Sequence, residues 1–159
     1  MPNSTLDEVD RRILYELQRN GKISASELAE RTGTSTSPCW RRVRHLEEAG
    51  VIQRYVAVVD PLKIGLPVTI FVHVTLEKQS QEALVQFEEA IRRCQEVMEC
   101  YLMTGDADYL LRVMVPDLAI YESFLMQNLV VVPGVANIRS SFALRRIQYR
   151  TEVPLDHLR

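Results

Sequence analysis

Apolar residues recur at helical intervals through the first fifty positions of the chain and then change to strict alternation. Leu6, Val9, Ile13, Leu14 and Leu17 fall on one face of a helix, and Asn20-Gly21 supplies a left-handed stop. Ahead of them, Thr5-Leu6-Asp7-Glu8 has capping-box spacing, in which Thr5 and Glu8 satisfy each other's backbone N–H groups. Ser24-Ala25-Ser26-Glu27 repeats the device. Ile23 and Leu28 occupy the two positions of a hydrophobic staple, and Gly33 closes this second helix. A third helix begins at Ser35 or Ser37 and ends at Gly50. It accepts Pro38 in its first turn, where the backbone N–H has no intrahelical partner. Only "TGTS" separates the second and third helices, and so short a link holds them at a large angle, as a helix-turn-helix.

The period then becomes two. "VIQRYVAVV" is β-rich, and "DPLKIGLP" is a turn-rich linker that marks a domain boundary. Val68, Ile70, Val72, Val74 and Leu76 alternate along a strand over Val68–Glu77. Ser80 caps a helix with Leu84, Phe87 and Ile91 on one side, and strands Val97–Thr104 and Tyr109–Val115 flank the tight turn "GDAD". Asp117 caps a helix with Tyr121, Phe124 and Leu125 inward, and Pro133-Gly134 leads into a last strand around Asn137–Ile147. This βαββαβ order predicts an α+β chain with a ferredoxin-like second domain. The division expected is residues 1–60, a linker over 61–67, and a second domain over 68–159. Helices on one side of a sheet leave the other side polar, yet Phe71, Val97, Tyr101 and Met103 give the second face apolar character. Burial of that face in a homo-oligomer is the expectation.

Composition narrows the function. Of 159 residues, 47% are hydrophobic and 25% charged, with a net charge of −2, the profile of a soluble globular protein. The apolar run "VTIFVHVTL" is far too short to span a bilayer, and no basic n-region precedes an apolar h-region, so neither a membrane anchor nor a secretory signal is expected. Three cysteines without a C-x-x-C pair, and three scattered histidines, suggest no disulfide framework, no metal site and no cofactor. A reducing cytoplasm fits them best. Nine lysines and arginines face eight acids up to Tyr55, so nucleic-acid binding has to rest on local placement rather than bulk charge.

That placement is found on the third helix. Cys39, Val43 and Leu46 share its core side, while Ser37, Arg41, Arg44, His45 and Glu48 lie opposite, with Trp40 and Arg42 on the flanks. No acid occurs between Ser35 and Leu46. The exposed start of the helix, with Ser35, Thr36, Ser37 and Pro38, is therefore hydroxylated or basic. Arginines suit phosphates and guanine edges, hydroxyls suit phosphate oxygens, and two preceding short helices present such a helix to a major groove. Double-stranded DNA is the partner expected, contacted through Ser35, Thr36, Ser37, Pro38, Trp40, Arg41, Arg42, Arg44 and His45. Arg42, on the flank, serves equally well as a structural partner of an acid on the first helix.

Taken in order, "LDEVDRRILYELQRNGKISASELAERTGTSTSPCWRRVRHLEEAGVI", "VVDPLKIG", "TGDADYLLRV" and "VPGVANIRSSFAL" resemble the Lrp/AsnC family of transcription regulators over nearly the whole chain. The resemblance implies a winged helix-turn-helix joined to a ferredoxin-like (RAM-type) effector and oligomerisation module. It also implies dimers built by packing two sheets together, commonly assembling into octamers. "TSPCW" is most similar to a subgroup concerned with amino-acid catabolism or cysteine response.

The resemblance further implies a small amino acid as effector, bound near the hairpin pattern Gly105, Asp108 and Tyr109. Asp106 and Ala107 lie within the turn, and Leu102, Thr104, Leu118, Ser140 and Ser141 neighbour it. Carboxylate or carbonyl oxygens for an ammonium, and backbone N–H groups for a carboxylate, are the chemistry a free amino acid needs. Ala107 departs from the aromatic residue of many relatives and leaves the effector's identity open. A purely structural turn accounts for Gly105 and its two aspartates as well. Two other functions fit parts of this pattern. An architectural DNA-binding protein would share the first domain but use the hairpin only as a turn. A ferredoxin-like enzyme needs a nucleophile with a base, a metal cluster or a carboxylate pair in a cleft. Asp106 and Asp108 have no histidine or lysine beside them, so the chain reads as a non-enzyme.

Overall fold

A computed structural model describes residues 6–158. The chain forms two compact units, one running up to Val58 and taking in the chain from Gln148 onward, the other spanning Val59–Ile147. No helix among the described residues is long and apolar enough to cross a membrane.

The first unit holds helices α1 (Glu8–Arg19), α2 (Ala25–Thr32) and α3 (Thr36–Glu48). Its core is Ile13, Leu14, Leu28, Ala29, Cys39, Val43 and Leu46, the inward stripes read from the sequence. The start of α1 differs from the expected box. Asp7 is the cap, accepting from the N–H groups of Val9 and Asp10 at 2.9 Å each, while the Asp10 carboxylate accepts from the Asp7 N–H at 3.2 Å. The expected cap Thr5 lies outside the described residues. Ser24 caps α2 through the Glu27 N–H at 3.2 Å, but the Glu27 carboxylate turns to Arg31 at 2.6 Å and leaves the second box half-made. Asn20-Gly21 ends α1 without a left-handed residue. A Cβ at position 21 would lie 3.3 Å from the Tyr55 ring, which would have to give by a few tenths of an ångström to admit it.

Two stretches depart from expectation. Residues 53–60 form neither helix nor strand, with Tyr55, Val56, Val58 and Val59 exposed, and no backbone hydrogen bond holds residues 53–59 among the described residues. The chain beyond residue 147, expected in the second domain, instead packs on the first. Leu155 joins its core, and Gln18 pairs with Val153 through both amide atoms, at 2.7 and 3.3 Å.

The second unit contains β1 (Val68–Leu76), α4 (Gln81–Arg92), β2 (Val97–Leu102), β3 (Tyr109–Val115), α5 (Leu118–Phe124) with a wide turn over Leu125–Leu129, and β4 (Val135–Phe142). The sheet is antiparallel in the order β2-β3-β1-β4, the ferredoxin-like arrangement. Ile70, Val72, Val74, Leu111, Val113 and Val115 face Phe87, Ile91, Tyr121 and Phe124 of the helices. β4 stops earlier than expected because β1, its neighbour, begins at Val68 after Pro67. The last bond between them runs from the Ala143 N–H to Thr69 O at 3.0 Å.

The open face of the sheet carries Phe71, Leu110, Tyr101 and Met114 around an Arg112–Glu99 ion pair of 2.6 Å. Arg112 holds the Glu99 carboxyl below its usual range. Val97, expected here, instead packs on the helix-side core. A register shift between Val97 and Glu99 reverses the alternation along β2.

Candidate DNA-binding face and effector hairpin

The turn before α3 is fixed from inside. Gly33 adopts φ 69°, a left-handed conformation that closes α2. Buried Thr32 donates its hydroxyl to Leu28 O at 2.8 Å and lies 3.8 Å from the Cys39 sulfur. Val43 and Leu46 anchor the rest of α3, so its rotation is set by core packing. That rotation exposes Ser37, Arg41, Arg44 and His45 together, with Thr36 and Trp40 beside them. Ser35 starts the helix without capping it through its side chain, which leaves that hydroxyl and the first-turn N–H groups toward solvent. Arg41 and Arg44 have no acidic partner among the described residues.

Arg42 is different. One guanidinium nitrogen lies 2.6 Å from Asp7 and 2.8 Å from Asp10, tying α3 to the start of α1. The Asp10 N–H and then Arg42 hold the Asp7 carboxyl below its ordinary value. Of the two roles open to Arg42 from sequence, the structural one matches this geometry. Beyond α3, Tyr55 donates to Glu47 at 3.0 Å, and burial together with that bond pushes its phenol up to about 12. The Tyr55 ring lies beside Gly21, a long-range neighbour that no local pattern announces.

The hairpin of the second unit divides its residues into two groups. Asp108 is 6% exposed, and its carboxylate accepts the Leu76 N–H at 2.7 Å and the Gln79 side-chain amide. Tyr109 is 1% exposed, stacks 4.5 Å from Phe87 and donates to Glu88 at 3.1 Å. Burial, then the Glu88 carboxylate, raises the Tyr109 phenol above its ordinary range. These two residues build the hairpin. Leu102, Thr104, Gly105, Asp106, Leu118 and Ser141 are exposed, and Ala107 is partly so. Ser140 is half-buried and shares a hydrogen bond with the Tyr121 hydroxyl.

Comparison with known proteins accounts for both units. Residues 6–53 match a winged helix-turn-helix DNA-binding domain, and residues 69–153 match the Lrp/AsnC ligand binding domain. The chain is 47% identical to the Bkd operon transcriptional regulator of Pseudomonas aeruginosa, over 94% of this chain and 98% of that one. It is 40% identical to the leucine-responsive regulatory protein of Escherichia coli, over 92% and 90% of the two chains. A transcriptional regulator from Neisseria meningitidis, solved as a complex with L-Met, superposes with a TM-score of 0.92 at 37% identity, covering 97% of this chain and 99% of that one. An AsnC family regulator from Agrobacterium tumefaciens gives 0.90 at 44% identity, with 95% and 98% covered. With a helix-turn-helix presenting exposed arginines and a ligand-binding module on one chain, the protein belongs to the Lrp/AsnC family of effector-responsive, DNA-binding transcription regulators.

Proposed function

We propose that α3 reads a major groove through Arg41 and Arg44, with Ser35, Thr36, Ser37 and His45 on phosphates and Pro38 setting the helix start. The observation that carries this reading is the exposure of Arg41 and Arg44, without acidic partners among the described residues, opposite the buried Cys39–Val43–Leu46 stripe. Arg42 holds the reading helix against α1 instead of contacting bases. Two copies present two such helices, so the sites bound are roughly palindromic, with half-sites one helical turn (about 34 Å) or a multiple apart.

The effector in this reading is a small amino acid at the hairpin. Its ammonium meets the exposed Asp106 carboxylate and its carboxylate the turn's backbone N–H groups, while Leu102 and Thr104 flank the side chain. Leu118 and Ser141, expected beside them, lie away from the turn, toward the other end of β3. Asp108 and Tyr109 position the hairpin surface from within, while Ser140 is tied to Tyr121 of α5 instead. The L-Met complex of the meningococcal relative and the leucine response named for the E. coli relative support an amino acid as the class. The open sheet face, with Phe71, Tyr101 and Leu110, is the surface through which two copies pair, and dimers assemble further into octamers. The protein acts by binding rather than catalysis and works in the cytoplasm, where its DNA partner resides.

The test joins the two activities. A DNA site is selected in vitro with the full-length protein, and its affinity is measured with and without each standard amino acid. The reading stands if one or a few amino acids shift affinity for that site. It falls if Arg41→Ala, Arg44→Ala binds the selected site as the wild type does.

A further inference from the structure

Trp40 is the one large apolar side chain on the exposed side of α3, and it is 46% exposed. It lines a hollow of about 380 Å³ with Ala25, Thr36, Ser37, Arg41 and Arg44, between the start of α2 and the outward face of α3. Core packing does not explain it, because the inward stripe of the helix is filled by Cys39, Val43 and Leu46. Ring stacking does not explain it either. Trp40 takes part in none of the aromatic or cation–π contacts of the described residues. An indole so placed leaves a broad apolar surface in water, amid guanidiniums and hydroxyls, where a charged or hydroxylated side chain would be better solvated.

From the hollow we infer that Trp40 is a specificity-determining residue that recognises the C5-methyl group of a thymine. This rests on the reading that α3 enters the major groove. Among the base edges displayed there, the hydrogen-bonding atoms suit Arg41 and Arg44, and the thymine methyl is the apolar group left for an apolar side chain. Trp40 follows Thr36 by one turn and precedes Arg44 by one turn, so the three form a ridge along one side of the reading face. A base contacted by Trp40 therefore lies between those reached from the helix start and from Arg44. A methyl buried against the ring is worth a factor of about four in affinity. An arginine reading a guanine contributes more, so Trp40 sharpens preference at one position in each half-site without supplying most of the binding.

The experiment replaces each thymine of an in vitro selected site by uracil, one position at a time, which removes the methyl and keeps every hydrogen-bonding atom. Wild type, Trp40→Ala and Trp40→Gln are titrated against the series, with Arg41→Ala alongside. Wild type should lose about fourfold at one thymine per half-site. Both Trp40 variants should lose nothing further there while keeping the wild-type response at all other positions. A penalty that persists in the Trp40 variants overturns the inference, as does a wild type indifferent to every methyl. Arg41→Ala separates the underlying reading: if that variant binds the selected site with wild-type affinity, α3 does not read the groove. If it weakens while the uracil series is flat, only the role of Trp40 fails.

Discussion

The carboxylate of Asp108 accepts the backbone N–H of Leu76 at 2.7 Å, joining the hairpin after β2 to the end of β1 from a buried position. Asp108→Ala leaves that N–H without an acceptor and should cost ~1–3 kcal/mol of stability. Asp108→Asn keeps an acceptor oxygen and should cost less. Chemical denaturation followed by the fluorescence of the tyrosines in the second unit measures both. Equal stability of wild type and Asp108→Ala would make the contact dispensable.

Neighbouring arginines on α3 should separate by phenotype. Arg41→Ala or Arg44→Ala should lose ~1–3 kcal/mol of binding to the selected site if the lost contact reads a base. A lost phosphate contact should weaken binding to all sequences and lower the salt slope by about one. Arg42→Ala breaks a half-exposed ion pair with Asp7 and Asp10 and should change stability by ~0–1 kcal/mol, with little effect on sequence preference. Fluorescence anisotropy at several salt concentrations, together with thermal melts, distinguishes the three. A change of base preference in Arg42→Ala would contradict its structural role.

Acid should loosen the start of α1. The Asp7 carboxyl lies below its ordinary value of 3.8 because the Asp10 N–H, and then Arg42, favour the ionised form. A lowered folded-state pKa adds stability that is fully present above the unfolded value and lost as pH falls through the folded one. The loss attributable to Asp7 therefore begins near pH 4 and is complete below its folded pKa. Asp7→Asn retains a capping oxygen without the titration. Its stability should fall less steeply than that of wild type over the same acid range. Parallel acid limbs in denaturation at graded pH would remove Asp7 from the linkage.

The face that α3 turns outward was legible because Cys39, Val43 and Leu46 fix its rotation by spacing alone. The sheet order followed from the βαββαβ succession, since local periodicity carries both facts. The misses are tertiary. Thr5-x-x-Glu8 and Asp7-x-x-Asp10 are both plausible caps, and an arginine thirty-odd residues away favours the second. The shift at Met98 that turns Val97 inward leaves no mark in an alternating string. A glutamine on α1 pairing with Val153 draws the tail to the first unit, and nothing local to either predicts it. In the hairpin, an aspartate beside glycine reads as a turn residue whether it faces solvent, like Asp106, or serves as a buried acceptor, like Asp108.

Pairing of two copies through the open sheet face should be sensitive to charge. Phe71→Glu puts a carboxylate among the apolar side chains around the Arg112–Glu99 pair, where desolvation would be costly. The variant should shift toward monomer in sedimentation or light scattering while its tertiary fold persists. Unchanged assembly would place the interface elsewhere.

The hairpin and α3 belong to different compact units. In the proposed reading an amino acid at Gly105 changes DNA affinity by favouring one assembly over another. Gly105 adopts φ 114°, and nothing lies within 4 Å of where its Cβ would be. Substitution is therefore opposed by backbone conformation rather than by crowding. Gly105→Ala and Gly105→Val should both distort the turn at a cost of ~1–3 kcal/mol, with valine the worse for its branched Cβ. Binding of an effector that needs the turn's N–H groups in place should weaken correspondingly. Ligand-free affinity for the selected DNA should stay near that of wild type, because α3 is packed by its own core. Coupling between two such sites is typically ~1–3 kcal/mol, enough for a several-fold change in affinity. The measurement is DNA affinity and oligomer size by light scattering across titrations of methionine and leucine. A variant that keeps the full wild-type response would show that the effector does not use this turn. A wild type in which a bound amino acid moves neither quantity would leave the hairpin as a turn between two strands.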